Sequence, residues 1–244
     1  MERPSKLTFA NGLSALTIQV QSETELPSAL TQLGIRYPRP TLAVVGGASK
    51  MTDADLSQLY PLFTEALAPL AERLGLIVVD GGSDAGVIGM MGQARAATGG
   101  TFPLIGVAPV GRITLPEAVD PLLGSVLLEP HHTHFILVPG ATWGDDSPWL
   151  VKVASVLSQA QPSVTILVNG GDVALKDVSE NVKVGRPVIT VAGSGRMADT
   201  LFAALQGEGT SQLVLSLAAS GLVSSINLRD NLETLALDQL LSSK

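Results

Sequence analysis

The sequence predicts an α/β fold: a doubly wound, mainly parallel sheet with helices on both faces. Three observations predict it. Apolar residues make up 45% of the chain and aromatic ones only 4%, which suits strands buried on both faces as continuous Val/Ile/Leu runs. Seven such runs recur, at 42–45, 76–79, 104–108, 135–138, 164–168, 188–191 and 213–217. Segments of helical apolar spacing fall between them, and each of the first six runs reaches a glycine within a few residues. Strand, glycine loop and helix therefore alternate along the chain.

The elements follow in order. Residues 7–9 and 15–20 read as a hairpin about Asn11-Gly12, a dipeptide that tolerates the positive φ of a tight turn. Residues 27–33 read as a small helix, and Tyr37-Pro38-Arg39-Pro40 as a stiff lead-in to the first core strand. Between 52 and 74, apolar residues stand at 56, 59, 62, 63, 66, 67, 70 and 74. That is a helical stripe, with Pro61 and Pro69 as kinks or breaks. Further helices are expected at 86–97, 148–159, 172–182, 194–205 and 230–241, and an irregular excursion at 114–124. The apolar stripe from Leu232 to Leu241 reads as packing on the parent domain, with an oligomer interface as the alternative. With no internal repeat and no long linker, residues 1–244 read as a single domain. In it, a hairpin and small helix (1–38) pack on a core (39–244).

Composition excludes several classes. Gly 25 and Pro 15 in 244 residues fall short of a low-complexity share. Mean hydropathy is high at +0.35, yet no stretch of about 18 apolar residues runs without a charge or breaker, so no membrane partner is expected. Met1-Glu2-Arg3-Pro4-Ser5-Lys6 leads into no apolar segment of a signal peptide. A cytoplasmic location is the expectation. The chain has no cysteine, hence no disulfide, thiolate metal site or cysteine nucleophile. A net charge of −7 argues against a nucleic-acid partner, which needs a basic footprint. A small anion is still admissible, because backbone amides and one or two cations hold it locally.

In an open α/β sheet, ligands sit beyond the carboxyl ends of the strands, and four glycine-rich loops occupy such ends. They are Gly46-Gly47-Ala48-Ser49, Gly81-Gly82-Ser83-Asp84-Ala85-Gly86, Gly170-Gly171-Asp172 and Gly193-Ser194-Gly195-Arg196. Each follows an apolar run and precedes a helical segment. A helix start presents unsatisfied amides and a partial positive charge, so phosphate is the natural occupant. Neither the P-loop nor the full G-x-G-x-x-G pattern is present. Arg196 falls in the first turn of a helix, where its charge opposes the macrodipole. A bound phosphate would remove that conflict, and a salt bridge to a nearby carboxylate, Asp199 or one across the rim, is the alternative. Gly86, Gly89 and Gly92 form a stripe read as close packing of their helix on the sheet, with room for a ligand at Gly86 alone. His131, His132 and His134 raise the question of a metal. No H-E-x-x-H spacing or comparable motif joins them to further ligands, so no metal site is expected. His134 reads as a hydrogen-bonded residue opening a strand.

At these motifs the sequence resembles the SLOG superfamily. Within it, the match is to the LSDAT branch, found in the cytosolic N-terminal regions of melastatin-type TRP channels and in free-standing prokaryotic proteins. The resemblance spans roughly residues 16–205. It rests on Val44-Val45-Gly46-Gly47 and on 81–94, which opens Gly81-Gly82-Ser83-Asp84-Ala85-Gly86-Val87. It rests also on Gly106-Val107-Ala108-Pro109, His132-Thr133-His134, Val168-Asn169-Gly170-Gly171-Asp172 and Gly193-Ser194-Gly195-Arg196. The channel pattern has Thr at Ala85, an acidic residue at Asn169 and Trp at Val110. The resemblance implies a Rossmann-like fold and binding of a nucleotide-derived ligand, ADP-ribose or an NAD product foremost, with no cofactor required. Gly82 to Val87, Gly170 to Asp172 and Gly193 to Arg196 would line the pocket. Backbone amides and Arg196 would hold phosphate, and Asp84, Asn169 or Asp172 would contact sugar or base. Output would pass to a separate effector protein or a homo-oligomer interface.

Two alternatives stand beside this sensor. Another SLOG branch, the lysine decarboxylase-like proteins, contains nucleoside-monophosphate phosphoribohydrolases with P-G-G-x-G-T-x-x-E after a strand. Here Pro139-Gly140-Ala141-Thr142-Trp143-Gly144-Asp145-Asp146 keeps the Pro-Gly start. Asp145 or Asp146 would replace the Glu in such an enzyme. The other alternative is a ligand-free scaffold or oligomerisation module.

Overall fold

The structure, a computed structural model, describes residues 3–48, 50–118, 123–209, 211–228 and 241. The N-terminal hairpin is β1 (Ser5–Thr8) and β2 (Ser14–Gln19), followed by the short helix α1 (Leu26–Gln32). Then come β3 (Thr41–Gly46), α2 (Asp53–Pro61), α3 (Ala68–Leu74), β4 (Ile77–Asp80), α4 (Gly86–Ala97) and β5 (Leu104–Pro109). A small β6 (Ile113–Thr114) and β7 (Val126–Leu127) precede β8 (His134–Val138), α5 (Ser147–Ser158) and β9 (Ser163–Val168). The described chain closes with α6 (Asp172–Lys183), β10 (Val188–Ala192), α7 (Arg196–Leu205), α8 (Gln212–Ala218) and β11 (Val223–Asn227).

The six apolar runs from 42 to 191 are the six core strands, and their side chains alternate between two apolar layers. Ala43, Val45, Ile77, Val79, Ile105 and Val107 face a layer built with α1, α5, α6, α7 and α8. Leu42, Val44, Val78, Leu104, Ile166 and Val168 face one built with α2, α3 and α4. Both faces are thus lost to solvent, which is why the runs are continuous rather than alternating. The sheet order is β1-β2-β8-β5-β4-β3-β9-β10-β11. Every pairing is parallel except that of β1 with β2. The hairpin joins the core through the sheet: β2 pairs with β8 and extends it, with Leu7, Phe9 and Ala15 packed against Ala108, Phe135 and Leu137. The chain moves outward from β3 to β4 and β5, then returns to set β9 on the other side of β3. The strand order reverses between β3 and β9, so the crevice of a doubly wound sheet opens there.

Two expectations need correction or refinement. The run 213–217 is no strand but the helix α8, capped by Ser211, whose side chain accepts from the Val214 amide at 3.5 Å. Val214 and Leu217, three apart, are buried, while Leu213 and Leu215 are exposed. A five-residue apolar run carries no period long enough to separate helix from strand. The strand is β11, whose Val-Ser-Ser-Ile-Asn sequence is too polar to stand out. In the 52–74 segment the prolines mark real discontinuities. Pro61 ends α2, a π-helical stretch (Leu62–Leu67) follows, and Pro69 lies at the start of α3. The looser turn accommodates the hydrogen bonding that a proline interrupts. The 230–241 segment and its stripe lie outside the described residues apart from Leu241, which is buried in the second layer. No helix among the described residues is long and apolar enough to cross a membrane.

Candidate functional site

The ends of β3 and β9 meet closely. A Cβ on Gly46 would stand 2.0 Å from the Val168 carbonyl oxygen, and the Gly47 amide donates to that oxygen at 3.0 Å. Across the loop, Gly86 has φ +49, and a Cβ on it would stand 2.1 Å from the Gly47 oxygen. That oxygen accepts from the Val87 amide at 2.9 Å. The β3–α2 loop is therefore held backbone to backbone between β9 and the start of α4. The arrangement excludes side chains at Gly46 and Gly86.

Beyond this junction is a cavity of about 290 Å³. One wall is Gly46, Gly47, Ala48 and Lys50; another is Gly81, Ser83, Ala85 and Ile88. The third is the start of α6, from Gly171 through Ala174, with Arg196 beside it. The amides of Gly171, Asp172, Val173 and Ala174 meet no acceptor among the described residues; the first bonded one is Leu175, to the Gly171 oxygen. Arg196 has φ +51. Its Nη2 would stand 2.5 Å from a Cβ on Gly171, so the guanidinium lies across the glycine surface. Neither Arg196 nor Lys50 has an ion-pair partner among the described residues. Asp199 does not neutralise Arg196; its Oδ1 accepts from the Gly193 amide at 2.6 Å.

The fourth loop does different work. Asn169 (φ +58) is buried, its amide donating to Ser194 Oγ and its Nδ2 to the Ser194 oxygen, both at 2.8 Å. Its Oδ1 accepts from the Gly170 amide at 2.8 Å. The Met197 and Ala198 amides, in the first turn of α7, donate to the Gly170 and Asn169 oxygens at 3.2 and 3.0 Å. The amides at that helix start are thus spent on the neighbouring loop, and only Arg196 of this motif reaches the cavity. Gly170, Gly193, Ser194 and Gly195, with Asn169, form the clamp behind it. Gly82, Asp84, Gly86 and Val87 likewise stand outside the lining, whereas Gly81, Ser83 and Asp172 belong to it.

The floor holds two carboxyl groups. Asp146 and Asp177 are 8% and 9% exposed, and both line the cavity with Leu150 and Trp143. Asp146 Oδ1 accepts from the Gly144 amide at 3.0 Å. Burial raises the Asp146 carboxyl above the ordinary range, and the neighbouring Asp145 charge adds to it against the Gly144 amide. Burial also pushes Asp177 up to about 7; the Ser147 hydroxyl opposes this and the Asp146 charge reinforces it. Asp145 is different. Its carboxylate accepts from the Ala141 and Thr142 amides at 2.9 Å, and those amides, Thr142 first, hold it below its usual value. It closes a turn outside the cavity. The sequence offered Asp146 but not Asp177, Lys50 or Trp143. Asp177 follows Ala174 by three residues and precedes Val178 and Asn181 on the buried stripe of α6. An acid inside such a stripe was the signal available.

The loop after β4 rests on a buried charged network. His132 Nε2 and Nδ1 stand 2.8 Å from Asp80 Oδ1 and Glu129 Oε2, and the ring stacks on Phe135 at 5.2 Å. His131 Nδ1 reaches Glu129 Oε1 at 2.5 Å. Asp80 Oδ1 also accepts from the Gly82 amide at 2.8 Å. Histidine rings placed this way are occupied by carboxylates, and no group of three or more acidic or histidine side chains among the described residues is set to hold a metal. His134 opens β8, its Nδ1 2.8 Å from Thr133 Oγ1. Of the glycine stripe of α4, Gly92 packs on this network rather than on strand side chains. A Cβ on Gly92 would stand 2.1 Å from Glu129 Oε2. Gly92→Ala should therefore destabilise the fold by about 1–3 kcal/mol in thermal melts, although alanine is the better helix former.

Comparison with known proteins agrees with this architecture. The X-ray structure of TM1055, a Northeast Structural Genomics Consortium target, superposes with a TM-score of 0.55 at 19% identity, covering 82% of this chain and 98% of that one. It supports the Rossmann-like fold alone. Transient receptor potential cation channel subfamily M member 2 of Rattus norvegicus is 26% identical over 242 residues, covering 85% of this chain and 16% of the channel. Member 1 of Mus musculus is 27% identical over 223 residues, 77% of this chain and 14% of the channel. Member 6 of Homo sapiens is 26% identical over 201 residues, 70% and 10%. The chain thus spans about a sixth or less of these channels. The family model described as SLOG in TRPM, prokaryote (LSDAT_prok) matches residues 39–236. On that match, over most of its length, this chain belongs to the LSDAT family of prokaryotic SLOG proteins.

Proposed function

We propose that the chain is a binding module for a phosphate-containing nucleotide derivative, such as ADP-ribose or a related NAD product, seated in the cavity between β3 and β9. One observation carries the reading. Two cations without ion-pair partners among the described residues, Lys50 and Arg196, converge with the free amides of the α6 start at the reversal of strand order. Anions bind where helix amides and positive side chains meet. The cavity volume lies at the lower end for small-molecule sites, enough to enclose a mononucleotide-sized portion. Ile88, Leu150 and Trp143 give an apolar surface for a base or sugar. The proposed setting is the cytoplasm, with a partner protein or second copy receiving the signal.

Calorimetric titration with ADP-ribose, AMP and NAD tests the reading, and saturable binding of at least one is the expected result. Absence of binding by all three would remove it. A Gly171→Ala variant adds a test of geometry. Its methyl group would displace the Arg196 guanidinium, so affinity should fall roughly tenfold, the loss of one charge-assisted contact, with helix content retained by circular dichroism.

The buried pair Asp146 and Asp177 favours one second reading, hydrolysis of the N-glycosidic bond of a nucleotide. Water would add at the sugar anomeric carbon, giving one proton to the ionised carboxylate of the pair, while the base leaves with the proton of the acid form. Chromatography after incubation with AMP separates the readings. Free adenine, lost in an Asp146→Asn variant, would establish the enzyme; unchanged AMP leaves the binding module.

A further inference from the structure

The floor of the cavity conflicts with its walls. With every group ionised, the lining carries Lys50 and Arg196 against Asp146, Asp172 and Asp177, a net negative surface for a site read as anion-binding. The Asp146 carboxyl accepts from the Gly144 amide at Oδ1, and no salt bridge joins either floor carboxylate to a cation among the described residues. Lys176, on the same helix as Asp177, donates to the Gly144 oxygen at 2.5 Å and forms no ion pair with either carboxyl, while its charge opposes the upward displacement of both. The remaining charged neighbours, Asp145 before α5 and Glu180 one turn along α6, are acidic. Two carboxylates sharing a desolvated site cannot both ionise cheaply.

We infer that Asp146 and Asp177 hold a proton between them in the complex, so that the site takes up a nucleotide anion together with a proton. This rests on the anion-binding reading of the same cavity. The proton cancels the excess negative charge of the lining. It also turns one floor carboxyl into a hydrogen-bond donor, so the bound ligand presents an acceptor atom there, a ring nitrogen, carbonyl or phosphate oxygen. The upward displacement of Asp177 by burial agrees with this. Anion binding should then weaken as pH rises through the range in which the pair loses its proton.

ADP-ribose is the suitable probe, because its two phosphates keep one charge each across neutral pH. Titrations between about pH 6 and pH 9, in two buffers of different protonation enthalpy, measure affinity and proton uptake together. The expected wild-type result is an affinity that falls by up to about tenfold per pH unit above about 7, with proton uptake approaching one. Asp177→Asn should level the profile and retain binding at the alkaline end. Asp146→Asn should do the same and serves if the first variant fails to fold. Saturable binding with a flat wild-type profile, or a slope that survives both substitutions, overturns this inference alone. Absence of binding by ADP-ribose, AMP and NAD at every pH overturns the binding reading and this inference with it.

Discussion

Replacing Arg196 by alanine is expected to weaken nucleotide binding by about 1.5–3 kcal/mol, roughly 10- to 150-fold, the range for hydrogen bonds to charged groups. The fold should be unaffected, because Arg196 has no ion-pair partner among the described residues and is exposed at the cavity wall. Its backbone holds a left-handed conformation, which a non-glycine residue adopts at a cost in energy. Alanine keeps that backbone requirement and removes only the charge. Arg196→Lys separates charge from shape: a lysine keeps the charge and loses the planar fork that lies across Gly171. Titration of both variants with ADP-ribose reads the outcome. Unchanged affinity in Arg196→Ala, with an unchanged melting temperature, would assign the anion to Lys50 and the α6 amides alone.

The second large effect concerns stability. His132 is wholly enclosed between Asp80 and Glu129, so removing its ring strands two buried carboxylates. His132→Ala should cost about 3–5 kcal/mol in chemical denaturation, the usual consequence of deleting one member of a buried charged group. Burial opposes protonation of the ring, but Asp80, followed by Glu129, overcomes it and lifts His132 to about 9. Because the folded value exceeds that of the unfolded chain, the charged ring stabilises the fold fully below about pH 6.5. That contribution declines as pH rises from there through about 9. Glu129 works in the opposite direction. The two histidines hold it low against the penalty of burial, so its contribution is present above its ordinary value and is lost as pH falls through the lowered one. Denaturation midpoints across the alkaline range should therefore drop in the wild type and stay level in His132→Ala. A loss under about 1 kcal/mol would mean that the network is marginal to stability.

Legibility in the sequence followed the physics of each feature. Strands buried on both faces announce themselves as apolar runs, so β3, β4, β5, β8, β9 and β10 were readable. Among the described residues β11 lies at the sheet edge beside β10 and needs no such run, while α8 imitates one over five residues. The glycine loops after β3, β4 and β9 pointed to the end of the sheet where the cavity opens, because backbone contacts such as Gly46 on Val168 leave no room for a side chain. Which loop residues face the cavity was not readable. Asn169 sits one residue from a lining glycine yet turns inward as a clamp. Partners distant along the chain were equally hidden: His132 stood out as one of three histidines, but Asp80 lies 52 residues away. Asp177 was concealed among the polar residues of α6, and only the fold brings it beside Asp146.

Nuclear magnetic resonance of the backbone amides during titration with ADP-ribose tests the central claim most directly, because it reports where the ligand sits as well as whether it binds. The account predicts saturable shifts at Gly47 and from Gly171 through Ala174, with those amides moving downfield as they acquire a phosphate acceptor, and smaller changes at Ser83 and Trp143. Saturable shifts confined to another face of the sheet, or none at these amides at saturating ligand, would contradict it.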